Sequence, residues 1–351
     1  MRRALALGTA VALVVLAACS GDDDSASDAK PAKDTKESKE AATAAKAKPS
    51  AGCDGKATAQ ADLVETKLPI RGTERRYLLS APAWGEGNDP LPLVVDFHGL
   101  AEGADVHANM TQMGPFGVKE GFVTVFPNAL GSPVAWNVDP DPDANVDLAL
   151  VEALLERVEN ERCIDTSRVY ATGLSNGAMM TSTVACVFAD RFAAVAPVSG
   201  INLPDGCHPT KPVPILTFHG TADPILMFNG GFNAAALGSA LNGGSDDGAT
   251  TTTTAADLEG KGYPDTVKRW AELDSCKSTS PDDERVTDEV IRRTYDCPDD
   301  AAVEFYIIEG GGHSWPSSEF SKSIERIVGH TTFDIDADQE IWTFFKHYRR
   351  G

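Results

Sequence analysis

Short apolar runs dominate the chain from residue 91 onward, separated by polar stretches carrying glycine and proline. Residues 91–97, 121–126, 168–172, 193–198, 213–218 and 302–308 are brief and rich in Val, Ile, Leu and Phe, as expected of buried strands. Residues 146–162, 176–188, 264–274 and 337–348 instead space their apolar positions as amphipathic helices do. Strands alternating with helices predict an α/β fold, a mostly parallel central sheet with helices on both faces. Ligands of such sheets bind outside the carboxyl ends of the strands. The residues that directly follow the apolar runs are therefore where chemistry is to be sought.

Three of those positions carry a coherent set. The run Arg168-Val169-Tyr170-Ala171-Thr172 leads into Gly173-Leu174-Ser175-Asn176-Gly177 and then into a helical stretch. Strand, Gly-x-Ser-x-Gly and helix together form the context of a nucleophile elbow, whose tight turn needs small residues two before and two after the serine. A serine hydroxyl needs a general base, and the base needs an orienting acid. Asp223 follows the run 213–218, and His313 sits on the glycine-rich loop after the run 302–308. The chain order Ser175, Asp223, His313 is the one an α/β-hydrolase uses. Each residue alone has an ordinary reading, Asp223-Pro224 as a turn and His313 as a loop histidine, but their joint placement at strand ends predicts a triad. His330 and His347 lack that context, and His219 reads as structural. The oxyanion donors are expected from the Asn176 N–H and from Gly99 or Leu100, after the run 91–97.

These residues resemble the family of polyhydroxybutyrate depolymerases and feruloyl esterases within the α/β-hydrolases. The resemblance rests on Asp96-Phe97-His98-Gly99, Phe126-Pro127-Asn128 with Trp136, Cys163 leading to Arg168-Val169-Tyr170, and Gly173 to Met180. It continues through Phe192 to Gly200, His219 to Asp223, and Gly311-Gly312-His313-Ser314-Trp315-Pro316. It implies hydrolysis of short hydroxyacyl or hydroxycinnamoyl esters without metal or organic cofactor. The Gly-, Ala- and Thr-rich segment 229–262 departs from the family pattern. Trp136 and Trp315 are candidates to pack on an aromatic acyl group, with a core role as the alternative.

The N-terminus adds an address. Arg2 and Arg3 precede an apolar stretch too short to span a membrane comfortably, and Leu16-Ala17-Ala18-Cys19 follows. Residues 1–18 are expected to be a lipoprotein signal peptide, with Cys19 acylated. Residues 19–52 lack aromatic and large aliphatic side chains and read as a disordered tether. Residues 53–351 form the catalytic domain. Its six cysteines allow fifteen pairings. Favouring short loops pairs Cys186 with Cys207 and Cys276 with Cys297, which leaves Cys53 for Cys163. The formal net charge of −21 disfavours nucleic acid as a partner. The acidic run Asp139, Asp141, Asp143 and Asp147 fits no calcium loop and reads as a solvated turn before a helix.

The resulting expectation is a monomeric, exported serine esterase, held at the outer face of the cell membrane by its lipid or secreted. A small or polymeric ester is its substrate. Feruloyl-type esters stand ahead of polyhydroxybutyrate, with an inactive binding lipoprotein or a peptidase on the same fold as further readings.

Overall fold

The computed structural model describes residues 46–242 and 255–351. The elements in chain order are β1 (Ala61–Ile70), β2 (Thr73–Ala81), β3 (Leu91–Phe97), α1 (Gly103–Thr111), α2 (Met113–Glu120), β4 (Val123–Pro127), β5 (Leu130–Gly131) and β6 (Val134–Ala135). Then follow α3 (Val146–Glu161), β7 (Ile164–Leu174), α4 (Asn176–Val187), β8 (Ala194–Val198), β9 (Ile215–Gly220) and α5 (Ala234–Asn242). The last are α6 (Tyr263–Leu273), β10 (Lys277–Arg285), β11 (Val290–Asp296), β12 (Val303–Ile308), α7 (Glu319–Ser323), α8 (Glu325–Val328) and α9 (Ala337–Phe345).

All six apolar runs are strands, and they form the parallel centre of one sheet. Its order is β1-β2-β4-β3-β7-β8-β9-β12-β11-β10. Each run is buried on both faces, so alternate residues feed two separate cores. From β3, Leu93, Val95 and Phe97 join the core shared with α3, α4 and α6. Val94 points the other way, toward α1, α2 and α9. Asp96 shares the parity of Val94, so a fully buried carboxylate enters the α1 side. The chain goes from β3 to β4 on one side of β3 and then to β7 on the other. The segments after β3 and β7 therefore leave toward opposite faces, which makes the ends of these two strands the switch point where such sheets bind ligands.

Both edges of the sheet are antiparallel, through β1–β2 on one side and β10–β11–β12 on the other. These four outer strands go beyond the sequence expectation, because β1 is mostly exposed and β10 reads Lys-Ser-Thr-Ser-Pro-Asp-Asp-Glu-Arg, with no apolar signal.

Asp139, Asp141 and Asp143 lie in a ladder of exposed turns in which the Asn137, Asp139 and Asp141 side chains each accept the N–H two residues on. Asp147 departs from the solvated reading. It is buried, and its Oδ1 lies 2.6 Å from Arg75 Nη2 while its Oδ2 accepts the Asn137 N–H. All three disulfides join the expected pairs, Cys53–Cys163, Cys186–Cys207 and Cys276–Cys297.

The signal segment 1–18 and Cys19 lie outside the described residues, as do residues 243–254 of the Gly-, Ala- and Thr-rich segment. Of the expected tether, residues 46–52 are described, and the last of them are docked rather than free. The Ser50 N–H donates to the Ile164 carbonyl, and the Lys48 N–H to Asp165 Oδ1. The domain thus starts a few residues before position 53, because the backbone leading to Cys53 completes its hydrogen bonds on the start of β7.

Candidate active site

Ser175 occupies the turn between β7 and α4 with φ 58° and ψ −118°, a strained conformation for a residue with a side chain. What holds it there is close approach on both sides. A Cβ on Gly177 would lie 1.9 Å from the Phe97 carbonyl oxygen, and one on Gly173 would lie 2.5 Å from the same atom. Only glycine at these two positions lets the elbow press against the end of β3. The Ser175 N–H donates to the Val198 carbonyl, which ties the turn to β8.

Asp223 and His313 meet directly. His313 Nδ1 lies 2.7 Å from Asp223 Oδ2. The other carboxylate oxygen, Oδ1, accepts the N–H groups of Ile225 and Leu226, each at 2.8 Å. Burial alone would raise the Asp223 pKa, but the His313 and His219 rings hold it well below the usual carboxylate range. Burial likewise opposes charge on His313, and Asp223 outweighs it, so the His313 pKa is raised. The histidine loop reaches back toward the serine. Ser199 Oγ donates to the Ser314 carbonyl at 3.3 Å, and the neighbouring Gly200 lies against the Ser175 backbone. The three residues thus gather at the ends of β7, β9 and β12, around the end of β8. His219 is a supporting residue. Its Nε2 donates to the Leu226 carbonyl at 2.8 Å, and its ring stacks on Tyr263.

The loop after β3 lies against the elbow. Trp136 Nε1 donates to the His98 carbonyl at 2.8 Å, and the Trp136 N–H donates to Asn176 Oδ1 at 2.7 Å. One tryptophan therefore joins the residue after Ser175 to the residue before Gly99. The Asn176 N–H, at the first position of α4, has no intrahelical acceptor and is available to a ligand. The expected donor Gly99 is a correction, because its N–H is already given to Glu102 Oε2 at 2.8 Å. Leu100 keeps its N–H without an acceptor among the described residues.

The tryptophans are a second correction as substrate-lining candidates. Trp136 is 4% and Trp315 1% exposed. Trp136 packs edge-on to Phe97 and beside His98. Trp315 donates its Nε1 proton to Asp338 at 2.9 Å within the α9-side core. Both rings are held in place by buried hydrogen bonds, so their role is to support the loops.

Glu102 and His107 escaped the sequence reading. His107 Nε2 lies 2.8 Å from Asp96 Oδ1, and its Nδ1 lies 3.2 Å from Glu102 Oε2. Burial disfavours the imidazolium, but Asp96 and then Glu102 outweigh it and raise the His107 pKa to about 10. The available signal was Asp96 itself, one charged residue closing an otherwise apolar strand and so in need of a buried partner. Among the described residues no cluster of His, Cys, Asp and Glu is arranged to hold a metal.

A family model described as Esterase PHB depolymerase matches residues 76–288. The chain is similar to feruloyl esterase B of Piromyces equi, at 26% identity over 68% of this chain and 42% of that protein. It is similar to the putative esterase NocK of Nocardia uniformis, at 29% identity over 89% of this chain and 90% of that one. A probable feruloyl esterase C of Aspergillus oryzae is 33% identical over 55% of this chain and 69% of its own length. Among solved structures, acetyl xylan esterase from Aspergillus awamori superposes with a TM-score of 0.54 and 16% identity, covering 81% of this chain and 99% of that one. A thermostable esterase gives 0.51 and 19%, covering 82% and 64%. These structural likenesses establish the α/β-hydrolase fold.

Proposed function

The chain belongs to the Esterase PHB depolymerase family, and from that premise we propose that it is a serine carboxylic-ester hydrolase using Ser175, His313 and Asp223. The observation that carries the reading is the 2.7 Å His313–Asp223 contact at the strand ends beside a strained serine turn. With Nδ1–H given to Asp223, the His313 Nε2 is the ring's basic atom. It takes the Ser175 proton as Oγ bonds to the ester carbonyl carbon. Asp223 stabilises the imidazolium that forms. The carbonyl oxygen becomes an oxyanion, met by the Asn176 and Leu100 N–H groups. Collapse breaks the bond to the alcohol, which leaves with the proton from His313 Nε2. Water then gives a proton to His313 and its oxygen to the acyl carbon, releasing the carboxylic acid and restoring Ser175.

A feruloyl or similar short acyl ester is the first substrate reading, supported by the feruloyl esterases among the relatives. The family model's description favours polyhydroxybutyrate as the second. Comparing ferulate released from methyl ferulate with 3-hydroxybutyrate released from amorphous polymer separates them. The three disulfides support an exported protein. Membrane attachment through Cys19 is tested by mass spectrometry of the mature N-terminus.

Ser175→Ala tests the nucleophile. It should lower kcat on p-nitrophenyl acetate by on the order of 10⁴ or more with the fold retained. A variant of near wild-type activity sinks the assignment.

A further inference from the structure

In the turn after β3, residues 99–101 have every backbone N–H but one committed among the described residues. Its first peptide unit, His98–Gly99, is held at both ends: the His98 carbonyl accepts the Trp136 indole proton and the Gly99 N–H donates to Glu102. In the next unit, the Gly99 carbonyl accepts from His98 Nδ1 at 2.7 Å. That ring has one available tautomer, because its Nε2 accepts the Ala129 N–H at 3.0 Å. The Ala101 N–H donates to the Val134 carbonyl. A peptide unit is planar with C=O and N–H opposed, so fixing the Gly99 carbonyl aims the Leu100 N–H the opposite way. Leu100 thus holds the one uncommitted donor of residues 99–101 among the described residues.

Glu102 is anchored in turn. His107 bridges it to Asp96, and Asp96 Oδ2 accepts the Thr111 hydroxyl at 3.0 Å. The position of this carboxylate has an electrostatic consequence. Glu102 lies close enough to His313 to favour its charged form, so it belongs to the surroundings of the candidate site. An unneutralised carboxylate there would oppose a developing oxyanion. The His107 imidazolium answers that charge at Oε2, the same oxygen that accepts the Gly99 N–H.

We propose that Glu102 is a positioning residue for the oxyanion loop: by taking the Gly99 N–H, with His107 and Asp96 holding it in place, it presents the Leu100 N–H as the second oxyanion donor. The inference rests on the esterase reading and goes beyond it by assigning a role to a cluster outside the triad.

The test compares the wild-type chain with Glu102→Ala, Glu102→Asp and Glu102→Gln. It measures p-nitrophenyl acetate kinetics and inhibition by a phenylboronic acid, which forms a tetrahedral adduct on the serine. Glu102→Ala should lower kcat by about 10–100-fold, with KM changed by less than about threefold, because a misaimed donor costs the transition state and not the ground state. The boronate inhibition constant should rise in parallel with the fall in kcat/KM. Glu102→Gln keeps an acceptor for the Gly99 N–H and should recover most of the loss. Glu102 retains 22% side-chain exposure, and Glu102→Asp keeps its charge, so this second variant carries the test if the alanine protein does not fold. It should lose about tenfold in kcat, because a carboxylate one methylene shorter draws back from Gly99.

A folded alanine or aspartate variant within twofold of wild type overturns the proposal. So does a loss of kcat that leaves boronate affinity unchanged, or a glutamine variant no better than alanine. A wild-type protein without turnover overturns the esterase reading and this proposal together. An active wild type with indifferent Glu102 variants overturns this proposal alone.

Discussion

Asp223→Asn isolates the step at which geometry becomes chemistry. The two carboxylate oxygens do different jobs. Oδ1 accepts two backbone N–H groups, from Ile225 and Leu226, and Oδ2 accepts the His313 Nδ1 proton. An asparagine has one carbonyl oxygen and one amide nitrogen to place. Turning the nitrogen toward Ile225 and Leu226 would set it against two donors and leave both buried N–H groups unpaired, at about 1–3 kcal/mol each. The amide therefore keeps its oxygen there and points its NH₂ at His313. An NH₂ facing Nδ1 requires Nδ1 to accept, which moves the ring proton to Nε2, the atom that must take the Ser175 proton. The fold stays intact and the base is in the wrong tautomer. A loss of about 10⁴ in kcat is expected, which is about 5 kcal/mol of transition-state stabilisation. The assay is p-nitrophenyl acetate hydrolysis, with thermal unfolding alongside to show that the mutant folds. A folded Asp223→Asn protein within tenfold of wild-type kcat would refute the reasoning.

The same geometry carries three further expected outcomes. Catalysis needs neutral His313, whose pKa lies above the ordinary value of 6.5, so kcat/KM should climb with pH through a limb above 6.5; a limb below 6 contradicts the raised value. Gly177→Ala puts a Cβ 1.9 Å from the Phe97 oxygen and must push the elbow off the oxyanion loop. It should cost about 10²-fold in kcat and about 1–3 kcal/mol in stability, read from kinetics and denaturant melts. Removing Cys53–Cys163, which closes a separation of 110 residues, should cost about 5 kcal/mol in chemical denaturation, against about 3 for Cys186–Cys207, whose separation is 21.

The centre of this fold was legible because strands buried on both faces are mostly apolar, and that is a local property of Leu91–Phe97 or Ile215–Gly220. The strand-end placement of Ser175, Asp223 and His313 was legible for a related reason, since each follows such a run. The outer strands were not, because β10 offers hydrogen bonds and little apolar surface, and its pairing with β11 is decided by tertiary context. Gly99 was misjudged because motif reasoning places donors on a backbone without counting what already accepts from them. The acceptor, Glu102, is three residues along and becomes visible only once the turn is built. Trp136 and Trp315 illustrate the converse. A tryptophan beside a catalytic loop looks like a substrate platform in sequence, and only the bonds to His98 and Asp338 reveal that its indole is a strut. Asp147 belongs with them, since its burial depends on Arg75, which lies on β2.

The docking of residues 48–50 on the start of β7 has a directional consequence. β7 is 11 residues long, with the incoming chain bonded at Ile164 and Asp165 and Ser175 just past its far end. At about 3.3 Å per residue, that strand separates the two by roughly 35 Å. Any pull exerted through the preceding segment enters at the foot of the sheet, next to Cys53–Cys163, and runs along β7 toward the opposite rim. Ser175 therefore lies at the rim of the sheet opposite the point where the described chain enters it.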